Sequence, residues 1–204
     1  SNTRTYYDNM RRDMLLEGSS DVVAVNMAVL SSKLRQISSG FAITEDESVV
    51  EFDTQRAKTL VSLLNEQPER PALIIYEYTK QREQIEAELE RNGSRHISVF
   101  GGSDKHEAIE GFKEGRYQYL VAQQNTLSHG TDGLQYACDH IIFFHPLWSN
   151  DNTIQSIGRV WRQGQTKPVT CTTLVCEDTV DDLVLARLDS KAEHMSVFLK
   201  HLRG

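Results

Sequence analysis

The sequence predicts an α/β fold: a parallel sheet with helices on both faces, preceded by a short helical segment. Three observations lead to it. From about residue 70 onward, short apolar runs alternate regularly with amphipathic or charged stretches, the order that builds a covered parallel sheet. Before residue 50 the apolar residues recur at three- and four-residue spacing instead, the helical period. The 204 residues, 39% hydrophobic and 25% charged, suffice for one such domain with a helical annex. We therefore divide the chain into a lead-in segment, 1–50, and a sheet domain, 51–204.

In the lead-in, "YYDNMRRDMLL" and "VVAVNMAVLSSKLRQI" read as helices, the second presenting Val23, Met27, Leu30, Leu34 and Ile37. Ser38, Ser39 and Gly40 stop it, and the acidic "TEDES" reads as an exposed turn. "ALIIYEY" (Ala72 to Tyr78) is the first strand, with Pro71 in front and Thr79 as helix N-cap behind. "KQREQIEAELERNG" is a charged helix ended by Gly93. The strand "HISVF" leads through "GGS" to a helix with Ala108, Ile109 and Phe112 on its apolar face. "YQYLVA" and "HIIFF" are two more strands, and "VTCTTLV" is the last. A final long helix starts near Val180, with Thr179 and Asp182 as its capping box and Lys200 and Arg203 near its end.

Composition removes several function classes. No apolar run approaches the ~20 residues of a membrane span, and no signal segment opens the chain. The chain starts at Ser1 without a methionine, so we expect an excised piece with a cloning scar at Ser1 and Asn2. Three cysteines, odd in number and without Cys-x-x-Cys or Cys/His pairing, speak for a reducing compartment and against disulfides or zinc. We read Cys138, Cys171 and Cys176 as small buried hydrophobes. A net charge of -7 argues against coating nucleic acid by bulk charge, though not against a local basic groove.

Ligands of parallel sheets sit beyond the C-terminal strand ends, which points to "GGSD", "NTLSHGTDG" and "HPLWSND". The segment after the last of these, "IQSIGRVWRQGQ", is the most informative. With Asn150 or Asp151 as N-cap and 100° per residue, Ile154, Ile157 and Trp161 share a stripe facing the sheet. Gln155, Arg159 and Arg162 share the neighbouring stripe, with Gly158 on the seam. Two arginines at i, i+3 without an acid at i±4 repel slightly, and guanidinium forks match phosphoryl oxygens. On spacing alone, a solvated face and a phosphate site are equally good readings.

"QSIGRVWRQGQ" closely resembles motif VI of superfamily 2 helicases, Gln-x-x-Gly-Arg-x-x-Arg-x-Gly-Gln, and looks most like the Swi/Snf-type ATPases. The neighbours agree in order. "ALIIYEYTKQREQIEAEL" resembles the motif IV unit, "TLSHGTDGLQ" motif V, "HPLWSNDNTIQ" the Pro-Trp-Asn segment, and "KLRQISSGF" the helix before the lobe. "VFGGSDKHEAIEGFKEG" resembles the family's segment in which a glycine-rich turn precedes a helix ending in a Phe-rich patch. The resemblance implies the C-terminal RecA-like lobe of a nucleic-acid-dependent ATPase or helicase. Arg159 and Arg162 would be its arginine fingers; Gln155, Gly130, Asp132, Gly133 and Gly158 would adjoin the nucleotide. Gly102, Ser103, Asn125, Thr126 and Ser128 would meet the nucleic-acid backbone, with double-stranded DNA the expected partner. Motif V departs from the remodeller pattern, lacking a basic residue and a Gly-Gly pair, so a phage or bacterial, cytoplasmic ATPase fits better.

No Gly-x-x-x-x-Gly-Lys-Ser/Thr loop and no strand-borne Asp-Glu pair occurs, since Gly164-Gln165-Thr166-Lys167 has the wrong spacing and Glu45 to Glu47 lies in a turn. ATP would thus be shared with an absent N-terminal RecA-like lobe that also holds most of the Mg²⁺ contacts, and the isolated lobe should not hydrolyse it. A repair- or restriction-type superfamily 2 helicase lobe stays open as an alternative. So does a non-catalytic RecA-like module that binds nucleic acid or protein. Ser128, His129 and Asp132 lack a Gly-x-Ser-x-Gly elbow and read as loop; His140 and His145 read as satisfied strand-end groups, not metal ligands. Trp148 is either a pocket wall or a core anchor under the motif VI helix, and Ser103 could be an ordinary turn residue.

Overall fold

The computed structural model describes residues 2–16, 23–44, 46–128 and 132–186. Two helices, α1 (Asn2–Leu16) and α2 (Val23–Ser38), lead into a short antiparallel hairpin of β1 (Phe41–Ile43) and β2 (Val49–Glu51). The sheet domain follows as α3 (Gln55–Asn65), β3 (Ala72–Tyr76), α4 (Thr79–Arg91), β4 (His96–Val99), α5 (Lys105–Lys113) and β5 (Tyr119–Gln123). A 3₁₀ turn (Gln124–Ser128), α6 (Leu134–Ala137), β6 (His140–Phe143), α7 (Asn150–Val160) and β7 (Thr170–Thr173) come next. The final helix, α8, begins at Val180 and is described to residue 186, so the Lys200 and Arg203 expectation lies outside the described residues.

All five strands β3 to β7 are parallel, in the order β4-β5-β3-β6-β7. This is the RecA-like α/β sheet that was expected, with helices on both faces. Alternate strand residues supply two cores. Leu73, Ile75, Leu120, Ala122, Ile141 and Phe143 pack with α5, α6 and Val160 of α7. Ala72, Ile74, Tyr76, Val121 and Ile142 pack on the other face with Leu60 and Leu64 of α3 and Ile85 and Leu89 of α4. β3 is buried at all five positions, as a central strand covered on both faces must be. Its neighbours β5 and β6 lie on opposite sides, so the chain's connections diverge around it, and a crevice opens there at the C-terminal strand ends.

The lead-in is tied closely to this sheet. Tyr7, Leu30, Leu34 and Ile37 form a third core with Val180 of α8. The Tyr7 hydroxyl accepts the Val180 N–H at 2.5 Å. Arg56 of α3, almost fully buried, donates to the carbonyls of Ser38, Phe144 and Leu174 and to Asp181 Oδ2 at 2.6 Å. One guanidinium thereby joins α2, β6, the end of β7 and α8.

Several expectations need correction. The hairpin at 41–51 replaces a plain helix-then-turn, and "TEDES" is its turn, closed by Thr44 and Ser48. The first strand stops at Tyr76, and the cap of α4 is Tyr78 rather than Thr79, with the Gln81 amide oxygen accepting from the N–H groups of Glu77 and Tyr78. The cap of α7 is Ser149, not Asn150 or Asp151; its hydroxyl accepts from the Asn152 N–H. Helix α7 ends at Val160, so Trp161, with ψ near 81°, no longer follows the 100° step. Ser156 and Val160 are the buried residues of α7, Ile157 is half-buried, and Ile154 and Trp161 are exposed rather than facing the sheet. Trp148 is also exposed, so it is not a core anchor. Of the cysteines, Cys138 is buried, Cys176 half-buried and Cys171 exposed on the edge strand β7, so not all three are core residues. The capping of α8 follows expectation: Asp182 Oδ2 accepts from the Thr179 N–H at 3.2 Å.

Candidate functional site

At the crevice beside β3, the 3₁₀ turn after β5 and helix α7 after β6 face each other across a cleft of about 240 Å³. Asn125 comes from the turn, and Asn152, Gln155 and Arg159 come from α7. No lining residue is a carboxylate, and the amide residues Gln124, Asn125, Asn152 and Gln155 line the cleft together with a single arginine. Such a set offers donors and positive charge, which suits phosphoryl oxygens and would repel a metal cation. Gln155 and Arg159, expected at the nucleotide, thus share one place with Asn125, expected at the nucleic-acid backbone.

Gly158 is exposed, and a methyl group placed on it would meet nothing within 4 Å. Its lack of a side chain keeps the surface beside Arg159 low without serving internal packing.

Arg162 lies beyond the end of α7 and takes another direction. Its Nη1 donates to Asp132 Oδ1 at 2.7 Å in an exposed pair. The two predicted fingers are therefore not parallel on one helical stripe, and Arg162 has an internal partner that spacing did not reveal. Asp132, placed by the resemblance near nucleotide, holds this arginine. Gly133 has φ of 95° at the start of α6, and Gly102 has φ of 90° in the turn before α5, so both glycines meet a backbone requirement. Gly130 lies outside the described residues, as does the side chain of Ser128.

The expected nucleic-acid residues divide similarly. Ser103 closes its own turn, its hydroxyl donating to the Phe100 carbonyl at 2.9 Å and accepting the Phe100 N–H at 3.0 Å. The Thr126 hydroxyl donates to the Gln123 carbonyl at 2.6 Å, and its own carbonyl accepts from the Lys105 ammonium. Lys105, in the first turn of α5, was missed by sequence reasoning. Burial, and then the positive charge of Arg159, press its pKa below the ordinary lysine value. A lysine two residues after the "GGS" turn was the only available signal.

Beneath the crevice, Arg35 of α2 makes a two-pronged contact with Glu77, just past β3, and its Nη2 lies 3.1 Å from His145 Nδ1. His145 is fully buried; desolvation and the neighbouring Arg35 and Arg56 charges push its pKa well below the usual histidine value. Its Nε2 is 3.3 Å from Glu77 Oε2 but lacks the alignment of a hydrogen bond. His140 is held by Thr172 Oγ1 at 3.0 Å. A larger cavity of about 430 Å³ lies between α1 and α3, lined by Tyr7, Asp53, Arg56 and Cys176 among others, and contains none of the predicted site residues.

Among the described residues, no helix is long and apolar enough to cross a membrane, and no group of three His, Cys, Asp or Glu could hold a metal ion.

Comparison with known proteins agrees with the fold. The chain is 25% identical over 211 residues to "Putative protein p41" of Acyrthosiphon pisum secondary endosymbiont phage 1, covering 98% of this chain and 43% of that protein. It is 27% identical to the Arabidopsis thaliana chromatin-remodeling ATPase INO80 over 122 residues, 58% of this chain and 8% of that one. The human DNA repair and recombination protein RAD54B is 22% identical over 136 residues, 65% of this chain and 15% of that one. The chain therefore spans under half the length of these relatives, which include Snf2-family ATPases. The crystal structure of the C-terminal part of the Fun30 ATPase domain superposes with a TM-score of 0.59 at 20% identity, over 65% of this chain and 44% of that one. The family described as "Helicase conserved C-terminal domain" matches residues 55–164, from the start of α3 through the arginines of "IQSIGRVWRQGQ", and the chain belongs to that family.

Proposed function

We propose that this chain is the arginine-supplying C-terminal lobe of a nucleic-acid-dependent ATPase that acts on double-stranded DNA. ATP would be sandwiched against an N-terminal RecA-like lobe that also holds most of the Mg²⁺ contacts. The observation that carries the reading is the carboxylate-free cleft in which Asn125 of motif V meets Gln155 and Arg159 of motif VI. ATP, when bound, supplies the phosphoryl group that is transferred to water.

The chain's own residues then have distinct tasks. Arg159, set low beside Gly158, neutralises charge on the phosphoryl oxygens, and Gln155 orients them through its amide. Arg162 joins only after leaving Asp132, which requires breaking an exposed pair worth ~0.2–1 kcal/mol. That barrier is small beside the ~10³–10⁵ in rate that an arginine finger supplies. Lobe closure would bring the arginines to the nucleotide and hydrolysis would release them, moving the protein along a backbone held through its phosphates. The similarity to a phage protein supports a phage or bacterial origin.

The test is ATP turnover with duplex DNA in the full-length protein and in this chain alone. Arg159→Ala should lower turnover of the full-length protein by at least ~10³ while ATP binding is largely kept. The 204-residue chain should hydrolyse nothing above buffer. Full turnover by Arg159→Ala, or DNA-stimulated turnover by this chain alone, would sink the proposal.

A further inference from the structure

We infer that Gln165 is a positioning residue for Arg162: its side chain pins the loop after α7 alongside α6, and so decides where that guanidinium stands. The catalytic consequence rests on the reading that Arg162 joins a phosphoryl group; the loop geometry does not. Gly164 and Gln165 close the run "GRVWRQGQ", and neither helical spacing nor the resemblance gave them a task.

The chain leaves α7 through two tight turns. Trp161, with φ of -88° and ψ of 81°, is the centre of an inverse γ-turn, and the Arg162 N–H donates back to the Val160 carbonyl at 3.2 Å. The Gln165 N–H then donates to the Arg162 carbonyl at 3.1 Å, closing a four-residue turn whose third residue, Gly164, has φ of 99°. Arg162 and Gln165 are thus the two ends of one turn, so anchoring the second holds the first.

The side chains carry that turn onto α6. Gln165 Nε2 donates to the carbonyl of Cys138, the C-cap of α6, at 2.9 Å, while its Oε1 accepts from the Lys167 N–H at 3.0 Å. Arg162 reaches Asp132, just before the other end of the same helix. Between these two contacts the Tyr136 ring of α6 fills the place of a Gly164 side chain, its Oη 2.5 Å from where a Cβ would stand. The anchor itself is firm. Cys138 is buried, its N–H donates to the Leu134 carbonyl, and Asp139 beyond it is held by Arg70 at 2.6 Å.

Gln165 is the only residue from 161 to 168 that is not exposed, and none of them belongs to a hydrophobic core. Polar contacts therefore hold the loop in place. Water and salt screen the exposed Arg162–Asp132 pair, whereas an amide bonded to main-chain groups at both ends carries no charge to screen. Gln165 is accordingly the fixed point and Arg162 the arm. The guanidinium can leave Asp132 for a phosphoryl oxygen while the turn stays on α6.

The experiment is side-chain NMR of the native 204-residue chain, following the guanidinium signals of Arg162 and Arg70. Each is identified by its loss in the matching lysine variant, and Asp132→Asn gives the position of the Arg162 signal when its pair is absent. Gln165→Glu keeps the size of the side chain but has no N–H for the Cys138 carbonyl. That variant and Gln165→Ala should both move Arg162 to the unpaired position, and Arg70 should stay. An Arg162 signal that stays in place in one or both variants overturns the inference. Joint movement of Arg162 and Arg70 also overturns it, because Gln165 would then hold β6 rather than the loop.

In the full-length protein the same change should act through Arg162. Gln165→Ala is expected to lower kcat for ATP about 10²-fold, the scale of a ~1 Å misplacement, with KM kept. In an Arg162→Ala background it should lower kcat no further, whereas a change that only destabilised the fold would. A full kcat in Gln165→Ala, or an equal loss in both backgrounds, overturns the positioning role. Failure of the finger reading is distinct: if Arg162→Ala keeps full turnover that reading falls, and the NMR result alone decides whether Gln165 sets the pair.

Discussion

Arg162 Nη1 donates to Asp132 Oδ1 across 2.7 Å, joining the second arginine of "GRVWR" to the acid of "HGTDG". Two residues that the family resemblance directs toward the same nucleotide here hold one another. Both are substantially exposed, at 46% and 84% of the side chain, so water and salt screen the pair. A double-mutant cycle with Asp132→Asn and Arg162→Gln should give a coupling of ~0.2–1 kcal/mol by urea unfolding, shrinking in high salt. A coupling of several kcal/mol, insensitive to salt, would mean the pair is part of the packed structure.

The buried counterpart behaves differently. Arg56 and Asp181 are 7% and 2% exposed in their side chains and lie 2.6 Å apart. Removing one charge strands the other out of water, so Asp181→Ala should cost ~3–5 kcal/mol. The same substitution deprives the Cys176 N–H of its acceptor. Chemical denaturation reads the effect, and a loss under about 1 kcal/mol would contradict the burial of this pair.

His145 predicts a pH dependence. In the unfolded chain an imidazole takes up its proton near pH 6.5. In the fold, burial and the Arg35 and Arg56 charges hold its pKa well below that. Below about pH 6.5 the unfolded state binds a proton that the folded state refuses, so stability is intact above that pH and declines as pH falls toward the folded pKa. His140, whose pKa is also lowered by burial, adds in the same direction. Unfolding free energies at pH 7.5, 6.5 and 5.5 should fall in that order, and His145→Gln should flatten the slope. An unchanged slope in the variant would show that His145 is not the group responsible.

Gly40 has φ of 88° between α2 and the hairpin, and a Cβ there would stand 2.2 Å from the Asp53 carbonyl oxygen. Alanine meets both the left-handed backbone penalty of ~1–2 kcal/mol and a collision with main chain. Gly40→Ala should therefore lower stability by more than about 2 kcal/mol, seen as a clear drop in melting temperature. Gly158→Ala is the control, since open space surrounds its missing Cβ, and it should change stability by no more than about 1 kcal/mol, the helix-propensity scale.

What could be read from the sequence depended on how many residues carried each signal. β3 and β6 were legible because "ALIIY" and "HIIF" are buried at every position, which leaves apolar runs in which His140 is the one polar residue. The hairpin was not, because β2 is three exposed residues, Val49, Val50 and Glu51, paired to an equally short β1. Helix α4 looked uniformly charged, yet Gln81, Gln84 and Glu88 are buried. Gln81 bonds Ser39, and Glu88 accepts from Thr54 and Arg91. Polar residues inside a fold are legible only with their partners, and those partners are distant in sequence.

The site followed the same logic. Arg159, Gln155 and Asn125 were identified and do share a cleft. The direction of Arg162 was misjudged, because a wheel drawn at 100° per residue assumes a helix that in fact stops at Val160. Ile154 and Trp161 were placed on the sheet-facing stripe by the same wheel, whereas Ser156 and Val160 are the residues that α7 buries. Lys105 carried no motif of its own, and its bond to the Thr126 carbonyl distinguishes it.

The bond between the Tyr7 hydroxyl and the Val180 N–H spans 173 residues, and it bears on how the chain is made. A ribosome releases Tyr7 and its α2 neighbours Leu30, Leu34 and Ile37 long before Val180, so the buried ring emerges with part of its core and the donor to its hydroxyl still unsynthesised. The central strands can assemble in the meantime, since β3, β5 and β6 pair among themselves. The lead-in is thus translated ahead of the sheet and completes its packing only after it. A nascent chain halted before residue 180 would hold all five parallel strands but leave the Tyr7 hydroxyl without its Val180 donor, which makes α1 a reporter of whether the far end of the lobe has arrived.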